Sequence, residues 1–226
     1  ITSGVTGYKD VDNIGTSLLL AVPAYTNVTF KDITFSNVMS FNYQLYTGPW
    51  SQLGSLNFEG CTFNGIIVGS IATQTLKFSG CTFNNYVNTM SANNSNPTWI
   101  RPAYGNWTKD DNEGQGGDFR SLTSIVFENN VVTSTRPVKF ERISQWDITS
   151  TVVAAGNSFD ISAQESDPAD EIKNVGLYLG AEAKFNLVAE NNTKSENTAA
   201  IYTIPKGEKS LPAGSTVKDK SGNDVT

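Results

Sequence analysis

The chain has 226 residues, of which 38% are hydrophobic and 17% charged, and its formal net charge is −6 at pH 7. Such an acidic chain lacks the basic surface that a protein uses to bind nucleic acid or an anionic membrane. Histidine is absent, which excludes Ser-His, Cys-His and His-metal mechanisms. The apolar run at 18–22 has the length of a buried strand, so we expect no membrane span.

One eight-residue pattern recurs along the chain. An apolar residue, any residue and a second apolar residue precede two turn residues, and Cys or Asn, any residue and another apolar residue follow. The second copy reads Leu-Asn-Phe-Glu-Gly-Cys-Thr-Phe and the third reads Leu-Lys-Phe-Ser-Gly-Cys-Thr-Phe. Full copies begin at Leu56, Leu76, Ile125 and Val152, and weaker copies begin at Val28 and Leu187.

Each copy predicts two short strands with alternating apolar residues, separated by a tight polar corner. Further strands are predicted at 14–22, 41–46, 66–71, 138–143, 175–179 and 201–204. Short strands at this spacing, with almost no helical periodicity, favour a coil that stacks on itself over a β-sandwich. The step of 49 residues between Leu76 and Ile125 fits either two periods or one period with an insertion.

With these copies the chain resembles the right-handed parallel β-helix, the pectate-lyase-like fold family, of bacterial secreted or surface type. The resemblance covers about residues 28–204. It implies an all-β, single-stranded right-handed parallel β-helix (a solenoid) of about six to seven coils. We predict one domain over 1–226, with core coils at 14–204, an inserted loop at 89–123 and a C-terminal cap at 205–226.

Stacking of equivalent residues predicts a continuous core. Phe58 is expected to rest on Phe78 of the next coil, at the spacing of neighbouring strands. Asn130 and Asn157 share the corner position, where their amides can bond buried backbone groups of adjacent coils. Cys61 and Cys81 occupy the same corner one coil apart, and we favour two free thiols there over a disulfide.

The inserted loop is the most distinctive stretch for ligand binding. Its tryptophans and tyrosine can stack on sugar C–H surfaces while arginines bond sugar hydroxyls, although the tryptophans could equally pin the loop to the coils. A second candidate binding surface is a groove of aromatic and arginine side chains along one face of the coils. Enzymes of the fold that the chain resembles hold polysaccharides on the equivalent face. The candidate ligand-binding residues are Trp99, Arg101, Tyr104, Trp107, Arg136, Trp146 and Tyr178.

A catalytic site is a weaker prediction. The loop contains the adjacent acids Asp110 and Asp111, but the other motifs of polygalacturonase-like hydrolases are missing. In a lyase, Arg136 or Arg142 would act as the base. We expect no metal or other cofactor, because the acidic loop does not match the spacing of known Ca²⁺ motifs and is better explained as a solvated loop.

Three functions remain open from the sequence. We favour a non-catalytic, secreted or cell-surface domain that binds a polysaccharide or a host or cell-wall glycan, as an adhesin would. The alternatives are a polysaccharide lyase or glycoside hydrolase, and a structural spacer or fibre segment. Because the chain starts at Ile1 without a signal peptide, we expect it to be part of a larger multidomain surface protein.

Overall fold

A computed structural model of the chain describes residues 20–21, 27–36, 39–40, 45–46, 53–64, 67–68, 73–84, 123–134, 137–143, 150–162, 174–181, 185–204 and 223. In these ranges every regular element is a β-strand. The strands are β1 (Leu20–Ala21), β2 (Asn27–Lys31), β3 (Thr34–Ser36), β4 (Met39–Ser40), β5 (Leu45–Tyr46), β6 (Leu53–Glu59), β7 (Thr62–Asn64), β8 (Ile67–Val68), β9 (Thr73–Ser79), β10 (Thr82–Asn84), β11 (Ser124–Glu128), β12 (Val131–Ser134), β13 (Val138–Ile143), β14 (Ser150–Ala155), β15 (Ser158–Ile161), β16 (Val175–Ala181), β17 (Phe185–Glu190), β18 (Thr193–Lys194) and β19 (Ala200–Thr203).

The strands of the repeated pattern form two six-stranded parallel sheets. The first sheet has the order β2-β6-β9-β11-β14-β17, and the second has the order β3-β7-β10-β12-β15-β18. All neighbouring pairs are parallel and in register with the sequence copies. The prediction of an all-β fold with stacked parallel strands and equivalent residues in register is therefore confirmed for these sheets.

The long step between the third and fourth copies is one repeat with an insertion. Leu76 pairs directly with Ile125, and Phe78 pairs with Phe127. The ladder extends one residue further at Thr123, whose N–H donates to the carbonyl of Gln74 at 2.7 Å. The residue directly before β11 thus continues the hydrogen-bonded ladder between β9 and β11.

A left-handed residue forms the corner between the first and second sheets in each repeat. Its φ lies between +54° and +66°, a region that Gly enters freely and Asn or Asp enters more readily than other residues. This requirement explains why the turn positions of the pattern carry these three residue types. The corner residues are Asp32, Gly60, Gly80, Asn129, Gly156 and Asn191.

Phenylalanines from both sheets fill the core of the first repeats. The rings of Phe58 and Phe78 stack with centroids 4.8 Å apart and 11° between their planes. Phe63 and Phe83 stack in the same way at 4.8 Å, and Phe58 meets Phe63 edge-on at 5.4 Å. All four side chains are at most 1% exposed, so the predicted stacking of Phe58 on Phe78 is confirmed.

A third sheet and two smaller ones complete the described strands. The third sheet has the parallel order β13-β16-β19, while β1 pairs with β5 and β4 with β8, also in parallel. The predicted strand at 138–143 is observed with those bounds, and those at 175–179 and 201–204 are observed within one or two residues. The predicted C-terminal cap lies outside the described residues, apart from Asn223. No helix that could span a membrane is present in the described part of the chain.

Candidate functional site

The third sheet brings one predicted ligand-binding residue to its outer face. Along β16, Leu177 and Leu179 are fully buried, whereas Tyr178 between them is half-buried. With this alternation Leu177 and Leu179 point inward and Tyr178 points outward. Tyr178 stands in register with Lys139 of β13 and Thr203 of β19, so it occupies the central strand of this face.

A β-bulge lies beside Tyr178 at another predicted site residue. Phe140 pairs with Leu179 and Ile143 pairs with Ala181, so two residues of β13 lie opposite one residue of β16. Arg142 is one of those two residues. A bulge of this kind bends the strand, interrupts the ladder and is frequent beside binding and catalytic sites. The backbone thus places Arg142 and Tyr178 on adjacent strands, next to a local irregularity.

Close packing under β16 holds this strand in place. A Cβ atom added to Gly176 would lie 2.6 Å from Cγ of Phe159 and 2.7 Å from the carbonyl oxygen of Ile201. Only glycine allows this close an approach between the strand, the core and the neighbouring strand. A larger side chain at Gly176 would therefore force β16 away from Phe159 or from Ile201 of β19.

The other predicted site residues lie outside the described residues. These are Trp99, Arg101, Tyr104, Trp107, Asp110, Asp111, Arg136 and Trp146. In the sequence, Arg136 directly precedes Pro137, which is buried just before β13, and Trp146 comes three residues after β13 ends. Arg136, Arg142 and Trp146 thus belong to one strand and its flanks, and Tyr178 belongs to its partner strand.

Buried asparagines at the corners form a ladder between repeats. Asn157 accepts hydrogen bonds at Oδ1 from the N–H of Asn130 at 2.9 Å and from its Nδ2 at 3.1 Å. It donates through Nδ2 to the carbonyl of Phe127 at 2.8 Å and to Oδ1 of Asn192 at 2.9 Å. Asn130 repeats the backbone contact by donating to the carbonyl of Phe78 at 3.1 Å. The predicted role of Asn130 and Asn157 is confirmed, and their amides are used inside the fold.

The two cysteines take over this corner position in earlier repeats. Both thiols are free and at most 1% exposed. Each Sγ lies 3.4 Å from the carbonyl oxygen that an asparagine amide would bond, on Phe30 for Cys61 and on Phe58 for Cys81. Burial raises the pKa of both thiols, to about 11 for Cys81. They are therefore structural and poor nucleophiles.

Two carboxyl groups outside the third sheet, those of Glu128 and Asp160, bond neighbouring side chains. Glu128 bonds Lys77 at 2.7 Å and Ser79 at 3.0 Å, and the bond from Lys77 is the main cause that lowers the pKa of Glu128. Asp160 accepts a hydrogen bond from Ser195 at 2.6 Å, which lowers the pKa of this carboxyl. Among the residues described, no group of three or more Cys, Asp and Glu side chains is arranged to hold a metal ion.

Sequence reasoning missed two features. The bulge at Arg142 leaves no signal in the local alternation of β13. The second missed feature is the row of polar side chains on the outer face of the second sheet. The repeated Gly-Cys-Thr-Phe-Asn of the second and third copies does indicate this row. Thr62 and Thr82 pair in register on that face, as do Asn64 and Asn84. The threonines in that phrase are the signal that could have found it.

Comparison with known proteins gives no relative from which a role can be transferred. The chain matches no protein-family model, no curated protein and no solved structure.

Proposed function

We propose that the chain is a non-catalytic glycan-binding domain, secreted or displayed on a cell surface, and built as a right-handed, single-stranded parallel β-helix of the pectate-lyase-like type. The order of strands supports the coil. From β12 the chain enters β13 of the third sheet and then β14 of the first, and it repeats this order through β15, β16 and β17. One visit to each sheet per repeat is what a coil requires.

The observation that carries glycan binding is the outward position of Tyr178 beside the bulge at Arg142. A tyrosine ring offers an apolar face to sugar C–H groups, and its hydroxyl, an arginine and a lysine offer hydrogen bonds to sugar hydroxyls. Arg136 and Trp146, on the flanks of the same strand, would extend this surface, and so would Trp99, Arg101, Tyr104 and Trp107 of the insertion. The partner is a polysaccharide or a host or cell-wall glycan.

A polysaccharide lyase is the second candidate. The bulge at Arg142 favours it, because bulges are common beside active sites, and Arg142 or Arg136 would then remove the proton next to the carboxyl of an acidic sugar. The acids Asp110 and Asp111 would be the carboxylates available to a hydrolase.

Affinity electrophoresis through gels that contain single polysaccharides tests the proposal. We expect retardation of the wild-type chain in at least one gel and about tenfold weaker binding for Tyr178→Ala, given the contribution of one aromatic contact. Asn186→Ala, at an exposed position on the first sheet, is the matched control and should bind as the wild type does.

Three results would count against the proposal. Equal retardation of Tyr178→Ala and wild type would remove Tyr178 from the site. Release of unsaturated products that absorb in the ultraviolet, lost in Arg142→Ala, would establish the lyase instead. If the chain migrates without retardation through every gel, glycan binding is excluded for those polysaccharides and the structural role as a spacer or fibre segment is favoured instead.

A further inference from the structure

The outer face of the second sheet carries ranks of small polar side chains. Equivalent residues of its six strands pair in register, so their side chains recur about every 4.8 Å along the stack. The first rank consists of Thr34, Thr62, Thr82, Val131, Ser158 and Thr193. The second rank, two residues further along, includes Asn64, Asn84, Thr133 and Asp160.

This face is nearly free of charge. Within the two ranks as described, Asp160 is the single ionisable residue. The outer face of the first sheet is different, since it carries the charged side chains of Lys31, Glu59, Lys77, Glu128 and Glu190. The fold thus separates a charged outer face from a nearly neutral one.

Side chains form hydrogen bonds between neighbouring strands on both faces. On the first sheet, Ser55 bonds Asn27 at 3.0 Å, and Asn57 bonds Thr29 at 3.2 Å. These polar groups largely bond to one another.

On the second sheet, the amide of Asn84 donates to Asn64 at 3.1 Å and Ser195 donates to Asp160 at 2.6 Å, whereas no described group forms a hydrogen bond with the hydroxyls of five residues. Three of these residues are exposed and two are half-buried. Their donors and acceptors are thus available to an external partner. The five are Thr62, Thr82, Thr133, Ser158 and Thr193.

An exposed apolar side chain lies in the middle of this array. Val131 is 49% exposed and pairs with Thr82 on one side and Ser158 on the other. Its isopropyl group offers a C–H contact between neighbouring hydroxyls. Hydroxyl and amide groups around a small apolar contact match the surface of a pyranose, which carries hydroxyls at its edge and C–H groups on its face.

We propose that the outer face of the second sheet is a binding surface for a neutral polysaccharide that runs along the stacking direction. A repeating polyhydroxyl chain bonds a repeating row of hydroxyls, and a face with Asp160 as the single ionisable residue of its two ranks imposes little cost of desolvating ionic groups. An acidic polymer would find no cationic partner in the two ranks. The surface is separate from the face that carries Tyr178, so it goes beyond the function proposed above.

The test uses two triple variants of the full chain. Thr62→Val, Thr82→Val and Thr133→Val together remove three outward hydroxyls while they keep the branched shape that suits a strand. Thr29→Val, Thr75→Val and Thr151→Val together make the same change on the outer face of the first sheet and serve as the control. The probes are gels that contain a soluble mixed-linkage β-glucan, a galactomannan or polygalacturonate, and thermal unfolding checks that both variants are folded.

The inference predicts that the wild type is retarded by at least one neutral polymer. The second-sheet variant should bind that polymer at least tenfold more weakly, and the first-sheet variant should bind as the wild type does. Equal loss in both variants, or no loss in the second-sheet variant, would overturn the inference. If the wild type binds polygalacturonate alone and Tyr178→Ala loses this binding, the inference is overturned and the proposed function still stands. No binding to any of the three polymers would overturn the inference, whereas the proposed function is tested by the wider panel.

Discussion

Replacement of Asn157 by alanine tests the buried amide ladder. The side chain is 1% exposed and makes four hydrogen bonds, two from Asn130, one to the carbonyl of Phe127 and one to Asn192. Alanine removes all four and deprives the buried N–H of Asn130 and the carbonyl of Phe127 of these partners. Each buried polar group left unsatisfied costs about 1–3 kcal/mol.

The expected loss in unfolding free energy is therefore about 2–6 kcal/mol, a large share of the roughly 5–15 kcal/mol that stabilises a typical domain. For a chain of this size, a loss near 3 kcal/mol lowers the melting temperature by about 6–12 °C. Thermal unfolding followed by circular dichroism measures this shift, with the exposed Asn186→Ala as the control. A melting temperature within about 2 °C of wild type would refute the assignment of Asn157 to a buried ladder.

Replacement of the same residue by aspartate adds a pH dependence. A carboxylate at position 157 can accept from Asn130, but it cannot donate to the carbonyl of Phe127 and it faces Oδ1 of Asn192. Burial and this repulsion raise its folded pKa above the unfolded value of about 3.9. The variant should therefore come closest to wild-type stability below that value and lose stability as the pH rises through the folded pKa. A constant difference from wild type between pH 3 and pH 8 would contradict this expectation.

Three further perturbations test other contacts. Gly176→Ala should lower the unfolding free energy, measured by urea titration, by about 1–3 kcal/mol, because its Cβ meets a ring and a carbonyl. The control Gly80→Asn lies at a corner with open space where other repeats carry Asn, and it should change the unfolding free energy by less than about 1 kcal/mol. Equal effects of the two substitutions would contradict the close packing at Gly176. Cys81, whose pKa is about 11, should resist an aromatic disulfide reagent at pH 8 until urea unfolds the chain, and prompt reaction of the folded protein would show that its thiol is accessible. Glu128→Gln should lower the unfolding free energy by at most about 1 kcal/mol at pH 7 and low salt. Because the folded pKa of Glu128 is lowered, the difference in stability from wild type should fade as the pH drops through that pKa or as salt is added. A difference that persists at pH 2 would contradict the ion pair with Lys77.

The register of the two long sheets could be predicted from the sequence because each repeat must bury the same apolar positions. The phrases that begin at Leu56 and Leu76 are nearly identical, and stacking them buries Phe58 on Phe78 with no other choice of register. The corner residues were equally readable, since a left-handed φ restricts the position to Gly, Asn or Asp. Local chemistry therefore determined the first two sheets.

Other features depend on contacts that the sequence does not encode locally. The pairing of Leu76 with Ile125 skips 49 residues, and nothing in that interval distinguishes one repeat with an insertion from two irregular repeats. The bulge at Arg142 arises where β13 meets β16, so the alternation of β13 alone could not reveal it. The hydroxyl row of the second sheet was overlooked because outward Thr residues are ordinary in strands. Five of its hydroxyls have no hydrogen-bond partner among the described residues, and only the structure sets them apart in this way.

The most direct test of the fold is a crystal structure that measures the pairing of Leu76 with Ile125. We predict parallel strands with these two Cα atoms about 4.8 Å apart, Leu56 on the opposite side of Leu76, and Val152 next to Ile125. Antiparallel strands, or Leu76 paired with a residue from 85–122, would contradict the stacked parallel arrangement and both proposed binding faces.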